Sequence, residues 1–200
     1  MTLKLHTIVA STRPGRIGPS IAQWFNDFAA EHGKFGPVLV DLADFNLPVF
    51  DEPEHPRLRK YHHAHTKAWS ESVAQADALV FVTPEYNFGP PPSLLNALNY
   101  LSLEWNYMPA GFVSYGGISG GLRAVQVTKE ILTTFKVMPI PEGVPMPMVF
   151  PNLENGKLNA PDIYKTSAAM MLDELHKWAE SMKALRVPHK DSLQPKAQAA

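Results

Sequence analysis

The chain has 200 residues, which at roughly 150 residues per domain fits one domain, long enough to bury a core without disulfides or a structural metal. Cysteine is absent, which excludes disulfide frameworks, thiolate metal sites and cysteine nucleophiles together and suits a reducing cytoplasm. With 18 Lys+Arg against 19 Asp+Glu, the net charge of -1 gives no broad basic surface for nucleic acid or membrane and points to a small-molecule partner.

The opening MTLKLHTIVASTRPGR passes from strand-like residues straight into a loop. With no signal peptide and no apolar run long enough to span a bilayer, the expected location is the cytoplasm. Leu3 to Ala10 ends as a continuous apolar run, the pattern of a strand buried on both faces. A turn from Ser11 to Gly18 follows. Pro19-Ser20 then opens a helix with Ile21, Ala22, Trp24, Phe25 and Phe28 at helical spacing, and Gly33 is its expected stop. Pro37 to Leu42 is a second strand, followed by a proline-bearing loop from Ala43 to Pro56. A helix is expected over 58–76, and Ala78 to Thr83 is the clearest buried strand, stopping at Pro84. A further helix begins near Pro91.

Ala110 to Tyr115 forms the next strand, Gly116 to Gly121 a glycine-rich turn, and Leu122 to Phe135 an amphipathic helix. A fifth strand is expected around 137–141. Five prolines between Met138 and Pro151 suit an edge strand followed by an extended surface path. The last helix covers 160–185, and 188–200 lacks apolar periodicity and reads as a flexible tail after a domain of 1–187. Strand and helix alternate five times, so the fold class is α/β with a doubly wound, five-stranded parallel sheet. In such sheets ligands bind beyond the carboxyl ends of the strands where the strand order reverses, so the first, third and fourth strand-to-helix loops are where chemistry belongs. The 19 prolines, about twice the average usage of ~5%, are expected in loops.

The first of these loops, Ser11-Thr12-Arg13-Pro14-Gly15-Arg16-Ile17-Gly18, sits in a stretch with no acidic residue before Asp27. Hydroxyls, guanidinium groups and free N–H groups at a helix start are what a phosphate needs. A solvated turn that happens to hold two arginines is the plainer alternative. Neither the Gly-Lys-Ser/Thr ending of a P-loop nor a G-x-G-x-x-G fingerprint is present. In the third loop, Pro84 to Pro92, three consecutive prolines stiffen the backbone and Gly89 permits an unusual turn before them. It suits one wall of a flat heterocycle, and equally a stiff connection. The fourth loop, Ser114 to Gly121, has four glycines in eight positions, which lets backbone approach a ligand closely.

Together these loops resemble the NADPH-dependent FMN reductase family, whose fold is flavodoxin-like and which includes quinone, chromate and azo reductases. Pro84-Glu85-Tyr86-Asn87 followed by Pro91, Leu94, Asn96, Ala97 and Leu98 is similar to the family's P-E-Y-N-x-S-x-P-G-x-L-K-N-A signature. Ser114, Gly116, Gly120, Gly121, Arg123 and Ala124 match its S-x-G-x-x-x-G-G-x-R-A, the first loop is like its phosphate loop, and Leu47-Pro48 with Asp51-Glu52 resembles its L-P-x-x-D-E stretch. The resemblance implies that Ser11, Arg13, Arg16, Ile17 and Gly18 hold the FMN phosphate. It implies further that Pro84, Glu85, Tyr86 and Asn87 line the ring and ribityl chain, with Ser114, Gly116 and Gly117 along the pyrimidine edge. Ala10, Gly89, Pro92, Leu95 and Asn99 depart from the family's glycine, serine, glycine, lysine and aspartate. The last two remove a cation and an anion four residues apart on one helix face.

The function implied is an FMN-dependent oxidoreductase that takes a hydride from NADPH or NADH and reduces a small acceptor such as a flavin or quinone by a ping-pong mechanism. FMN carries the chemistry, so no protein acid or base is required as a catalytic residue. A flavodoxin-like electron carrier and a non-redox module for a phosphate ligand are the alternatives. His62, His63 and His65 lie together but without a converging carboxylate at helical spacing, so no metal site is expected. Trp24, Trp69 and Trp178 fall on apolar stripes. Trp105 and Tyr107 suit an aromatic loop over a flavin in a neighbouring subunit, and a homodimer or tetramer is expected.

Overall fold

The computed structural model describes residues 2–193. Its strands and helices alternate as β1 (Lys4–Val9), α1 (Gly18–His32), β2 (Gly36–Asp41), α2 (Ala64–Ala74), β3 (Ala78–Pro84), α3 (Pro92–Asn99), β4 (Pro109–Gly116), α4 (Leu122–Thr133) and β5 (Met138–Pro147). A short hairpin, β6 (Leu153–Glu154) with β7 (Lys157–Leu158), precedes the long α5 (Asp162–Leu193). The five main strands are all parallel, in the order β2-β1-β3-β4-β5. The chain therefore steps one way from β1 to β2 and the other way from β1 to β3, which opens a crevice at the carboxyl ends of β1 and β3.

The continuous apolar runs form strands because both faces of the sheet are covered. Leu5, Val9, Val80 and Val82 pack on one face against Ile21, Phe25, Met171 and Leu172 of α1 and α5. Ile8, Leu79, Phe81 and Phe112 face the other layer, where α2, α3 and α4 supply Trp69, Val73, Leu94, Leu98, Val125 and Leu132. Each such side chain contributes about 1.5–3 kcal/mol by leaving water. Trp24 and Trp178 only border this core, whereas Trp69 is inside it.

Three elements differ from the sequence expectation, and so does the place of one aromatic residue. α2 begins at Ala64, not 58, because the Glu52 carboxylate accepts from the amides of His62 and His63 at 2.8 and 3.0 Å and fixes the helix start there. β5 runs to Pro147 rather than 141. The amides of Met138 and Met148 donate to Met108 and Gly116 of the β4 side, so even-numbered residues face β4. Pro139, Pro145 and Pro147 are odd and lie on the outer edge, where no ladder donor is needed, and Pro141 falls in the irregularity opposite Ala110 to Phe112, where the ladder is interrupted. Helix α5 continues through Leu193, taking in 188–193 of the expected tail, and residues 194–200 lie outside the described residues. Polar anchors hold that last stretch in place of an apolar stripe. Arg186 is buried, His189 bonds the Leu103 carbonyl at 2.6 Å, and Lys190 reaches Asp77 at 2.8 Å.

The fourth difference concerns Trp105. It is fully buried against Trp69 and Phe81, at the amino end of β4, and Tyr107 stacks edge-on with His189 nearby. Both lie at the opposite end of the sheet from the crevice of their own chain; full burial keeps Trp105 from reaching a neighbouring subunit, whereas Tyr107 is only half-buried. Apolar area decided the position of Trp105, as it does for most buried aromatic side chains.

Candidate functional site

The first, third and fourth loops converge at the crevice with the segment after β5, around a cavity of about 240 Å³. From the first loop come Arg13, Gly15, Arg16 and Ile17. Helix α1 begins beside them with no side-chain cap and no acidic residue in its first turn, so the N–H groups and the positive end of the helix dipole are left uncompensated. Arg16 places one terminal nitrogen 2.5 Å from Asp41, yet its Nε is buried without a partner. A buried unsatisfied donor costs about 1–3 kcal/mol, a cost that an acceptor entering the cavity would relieve.

Ser11 and Gly18 lie under the loop and do not line the cavity. Ser11 is fully buried with its Oγ 3.3 Å from the Tyr115 hydroxyl. A Cβ on Gly18 would come within 2.7 Å of that Oγ and 2.8 Å of the Tyr115 oxygen, so glycine is required by packing at that point. Tyr115 itself is part of the lining. Burial pushes its hydroxyl up to about 12, which keeps it neutral.

Pro84, Glu85 and Tyr86 bring the third loop to the cavity, while Asn87 is exposed and outside it. The chain reverses by a two-residue turn in which Tyr86 and Gly89 exchange backbone hydrogen bonds of 2.9 Å. The left-handed positions are Asn87 (φ 49°) and Phe88 (φ 68°), not Gly89. A phenylalanine there is strained, and tight strand reversals with this twist demand left-handed angles at both central residues. The Glu85 side chain turns toward the fourth loop. Its carboxylate is directed into the start of α4, where it meets Ser119 and Arg123.

In the fourth loop the glycines divide into two groups. Gly120 (φ 59°) and Gly121 (φ 86°) are packing glycines, since a Cβ would come 2.9 Å from the Pro147 nitrogen in the first case and 2.8 Å from Ser114 Cβ in the second. Ser114 is buried, donates to the Gly120 carbonyl at 2.8 Å and does not line the cavity. Gly116 and Gly117 do line it, and a Cβ on Gly117 would meet nothing within 4 Å. The Met148 amide donates to the carbonyls of both Gly116 and Gly117 at 3.1 Å. Peptides are planar and trans, so the next N–H groups point away from Met148.

Of the twelve expected site residues, the cavity thus gathers Arg13, Arg16, Ile17, Pro84, Glu85, Tyr86, Gly116 and Gly117. Val149 and Phe150 were not expected, and no local signal marks them beyond the prolines on either side. A larger cavity, about 730 Å³, touches the first loop at Thr12 but lies mainly between the segment after β2 and α3. That segment is clipped to α3 where Asn96 donates to the Pro48 carbonyl at 2.5 Å and accepts from the Phe50 amide at 3.0 Å. His63 and His65 stack there, with Asp51 3.1 Å from His65 and 2.8 Å from the Tyr100 hydroxyl. The Asp51-Glu52 pair therefore holds the start of α2. Among the described residues no three His, Asp or Glu side chains are arranged to hold a metal ion, and no helix is long and apolar enough to cross a membrane.

The model of the NADPH-dependent FMN reductase family matches residues 3–150. The chain belongs to that family. It is an oxidoreductase that works with FMN as cofactor and NAD(P)H as co-substrate. An NAD(P)H-dependent FMN reductase of Schizosaccharomyces pombe is 43% identical over 129 residues, 64% of each chain. A quinone reductase of Escherichia coli is 29% identical over 143 residues, covering 68% of this chain and 72% of its own. Among solved structures, the NAD(P)H:(acceptor) oxidoreductase FerB of Paracoccus denitrificans superposes with a TM-score of 0.70 at 18% identity, covering 90% of this chain and 98% of FerB. At that identity the likeness establishes the flavodoxin-like fold.

Proposed function

We propose that FMN sits in the 240 Å³ cleft, its phosphate over the start of α1 and its ring between Tyr86 and the Gly116–Gly117 wall. NADPH or NADH and a small acceptor of the quinone or flavin class then use the same open ring face in turn. The observation that carries this reading is the buried, unpartnered Nε of Arg16 beside an uncapped helix start, opposite a wall bare of side chains at Gly117. An anion satisfies the first feature and a flat ring fits the second.

Bound FMN supplies the hydride acceptance and electron delivery. Arg13, Arg16 and the first amides of α1 hold the phosphate by charge-assisted hydrogen bonds. Ile17 packs beside them, and Pro84 with Tyr86 stiffens and covers one side of the cleft. The N–H groups of Gly117 and Ile118, held by the Met148 clasp, donate to the ring's carbonyl edge, where they favour the added negative charge of the reduced state. Phe150, exposed and lining the cleft, excludes water from one side. None of these groups exchanges a proton with substrate, in keeping with catalysis by positioning.

Two copies of the chain are inferred to pair across the larger groove lined by Leu95 and Asn99, where Val49 is 88% exposed. A cytoplasmic location is part of this reading, and a chain without cysteine is suited to a reducing compartment. The test is anaerobic addition of NADPH or NADH to the protein reconstituted with FMN. The flavin absorption bleaches, and a quinone restores it. Initial rates against both substrates give parallel double-reciprocal lines. Intersecting lines would show that both substrates occupy the site together and would overturn the alternating use of one face.

A further inference from the structure

Glu85 stands beside the cleft, yet its carboxylate is engaged elsewhere. Its side chain is only 6% exposed, and four donors reach it, all from the fourth loop and the start of α4. One oxygen accepts from the Ser119 hydroxyl at 2.8 Å and the Arg123 amide at 3.2 Å. The other accepts from Nε and a terminal nitrogen of Arg123 at 2.6 and 2.5 Å. Helix α4 has Gly121 at its N-cap position and no cap of its own, so a residue of the third loop supplies the acceptor that the helix start lacks. Burial would raise the Glu85 carboxyl, but the hydrogen bonds from Arg123 and Ser119 and the charge of Arg123 hold it below its ordinary value. Arg123 is fixed on its other side, its guanidinium 3.8 Å from the Phe88 ring centroid. The charge of Arg123 is thereby neutralised by Glu85, and Phe88, Glu85 and Arg123 join the two loops into one unit.

We propose that Glu85 is a positioning residue that clamps the third loop to the fourth through Arg123 and so sets the gap between the Tyr86 and Gly116–Gly117 walls of the cofactor cleft. The proposal rests on the FMN reading above. Separation of those walls is what a flat ring senses, so a loosened clamp changes how the cofactor is held before it changes whether the chain folds.

The test uses the cofactor-free protein titrated with FMN by fluorescence, together with visible circular dichroism and the midpoint potential of the bound flavin. Glu85→Ala is expected to weaken FMN about tenfold and to alter the dichroism and the potential. Glu85→Gln, which keeps an acceptor for Ser119 and the Arg123 amide but sets an NH₂ group against the guanidinium, falls between Glu85→Ala and the unchanged protein. Arg123→Ala combined with Glu85→Ala weakens FMN no further than Glu85→Ala alone, because the pair acts as one device. FMN affinity, dichroism and potential all unchanged in Glu85→Ala, with only the urea midpoint lowered, would make the pair purely structural and overturn the proposal. If the unaltered protein takes up no FMN, the cofactor reading itself fails, and the clamp with it.

Discussion

Two arginines at opposite ends of the sheet, Arg186 buried and Arg16 half-buried, differ in how completely their hydrogen bonds are met. At the amino end, Arg186 is 2% exposed, and its Nε and both terminal nitrogens donate to the carbonyls of Val73, Ala76, Glu104 and Asn106. Beside it Glu104 is fully buried and accepts from Arg59, Tyr61 and Ser70. At the carboxyl end, Arg16 has a single partner, Asp41, and a buried Nε with none. A network closed on itself stabilises the fold, whereas a donor left unmet beside a cleft is open to an acceptor. The contrast teaches that burial of a charge says little about function until each of its hydrogen bonds has been traced.

The largest effect is expected from Arg186→Met. It leaves four backbone carbonyls facing an apolar side chain and should lower stability by about 3 kcal/mol, read as a shift of the urea midpoint. FMN affinity of the protein that remains folded is unchanged, and a fall in that affinity would break the division between the two ends. The next effect is pH dependence at the amino end. His6, buried on β1, is held down to about 4 by burial and by the nearby charges of Lys4, Lys190 and Arg186, against the opposing pull of Asp77. The unfolded chain binds its proton near 6.5 and the folded one only near 4. Its full contribution is therefore present above 6.5 and is lost as pH falls through that window, about 2 kcal/mol by pH ~5. Urea unfolding at pH 7 and pH 5 measures the loss, and His6→Asn should remove that part of the slope. The smallest effect sharpens the carboxyl end. Arg16→Ala should weaken FMN about tenfold and leave riboflavin, which lacks the phosphate, unaffected. Equal loss for both ligands would turn Arg16 into a structural partner of Asp41.

The sheet and its crevice were legible because strands buried on both faces cannot avoid continuous apolar runs, and Ala78 to Thr83 is such a run. The site was legible to the extent that local chemistry marks it. Arginines without acids nearby, and glycines in a cluster, pointed to Arg13, Arg16, Gly116 and Gly117, all in the cleft. Ser11, Gly18 and Ser114 share those segments but face inward, and a sequence of residue types does not carry that direction. Val149 and Phe150 reach the cleft only because β5 lies beside β4, a long-range adjacency.

The prolines divide along the same line. Sequence alone assigned the prolines to loops, since each lacks an N–H, but Pro84 closes β3, Pro92 opens α3 and Pro188 lies inside α5, which leaves Pro14, Pro90 and Pro91 in the loops beside the crevice. Only the tertiary structure decided that Pro139, Pro145 and Pro147 belong to one strand, because a proline is tolerated there according to which way its nitrogen faces, and that depends on which neighbour the strand has. Glu85 follows the same rule. Its motif was readable in the chain, but whether its carboxylate meets a ligand or a helix start was settled by the packing of α4 against the third loop.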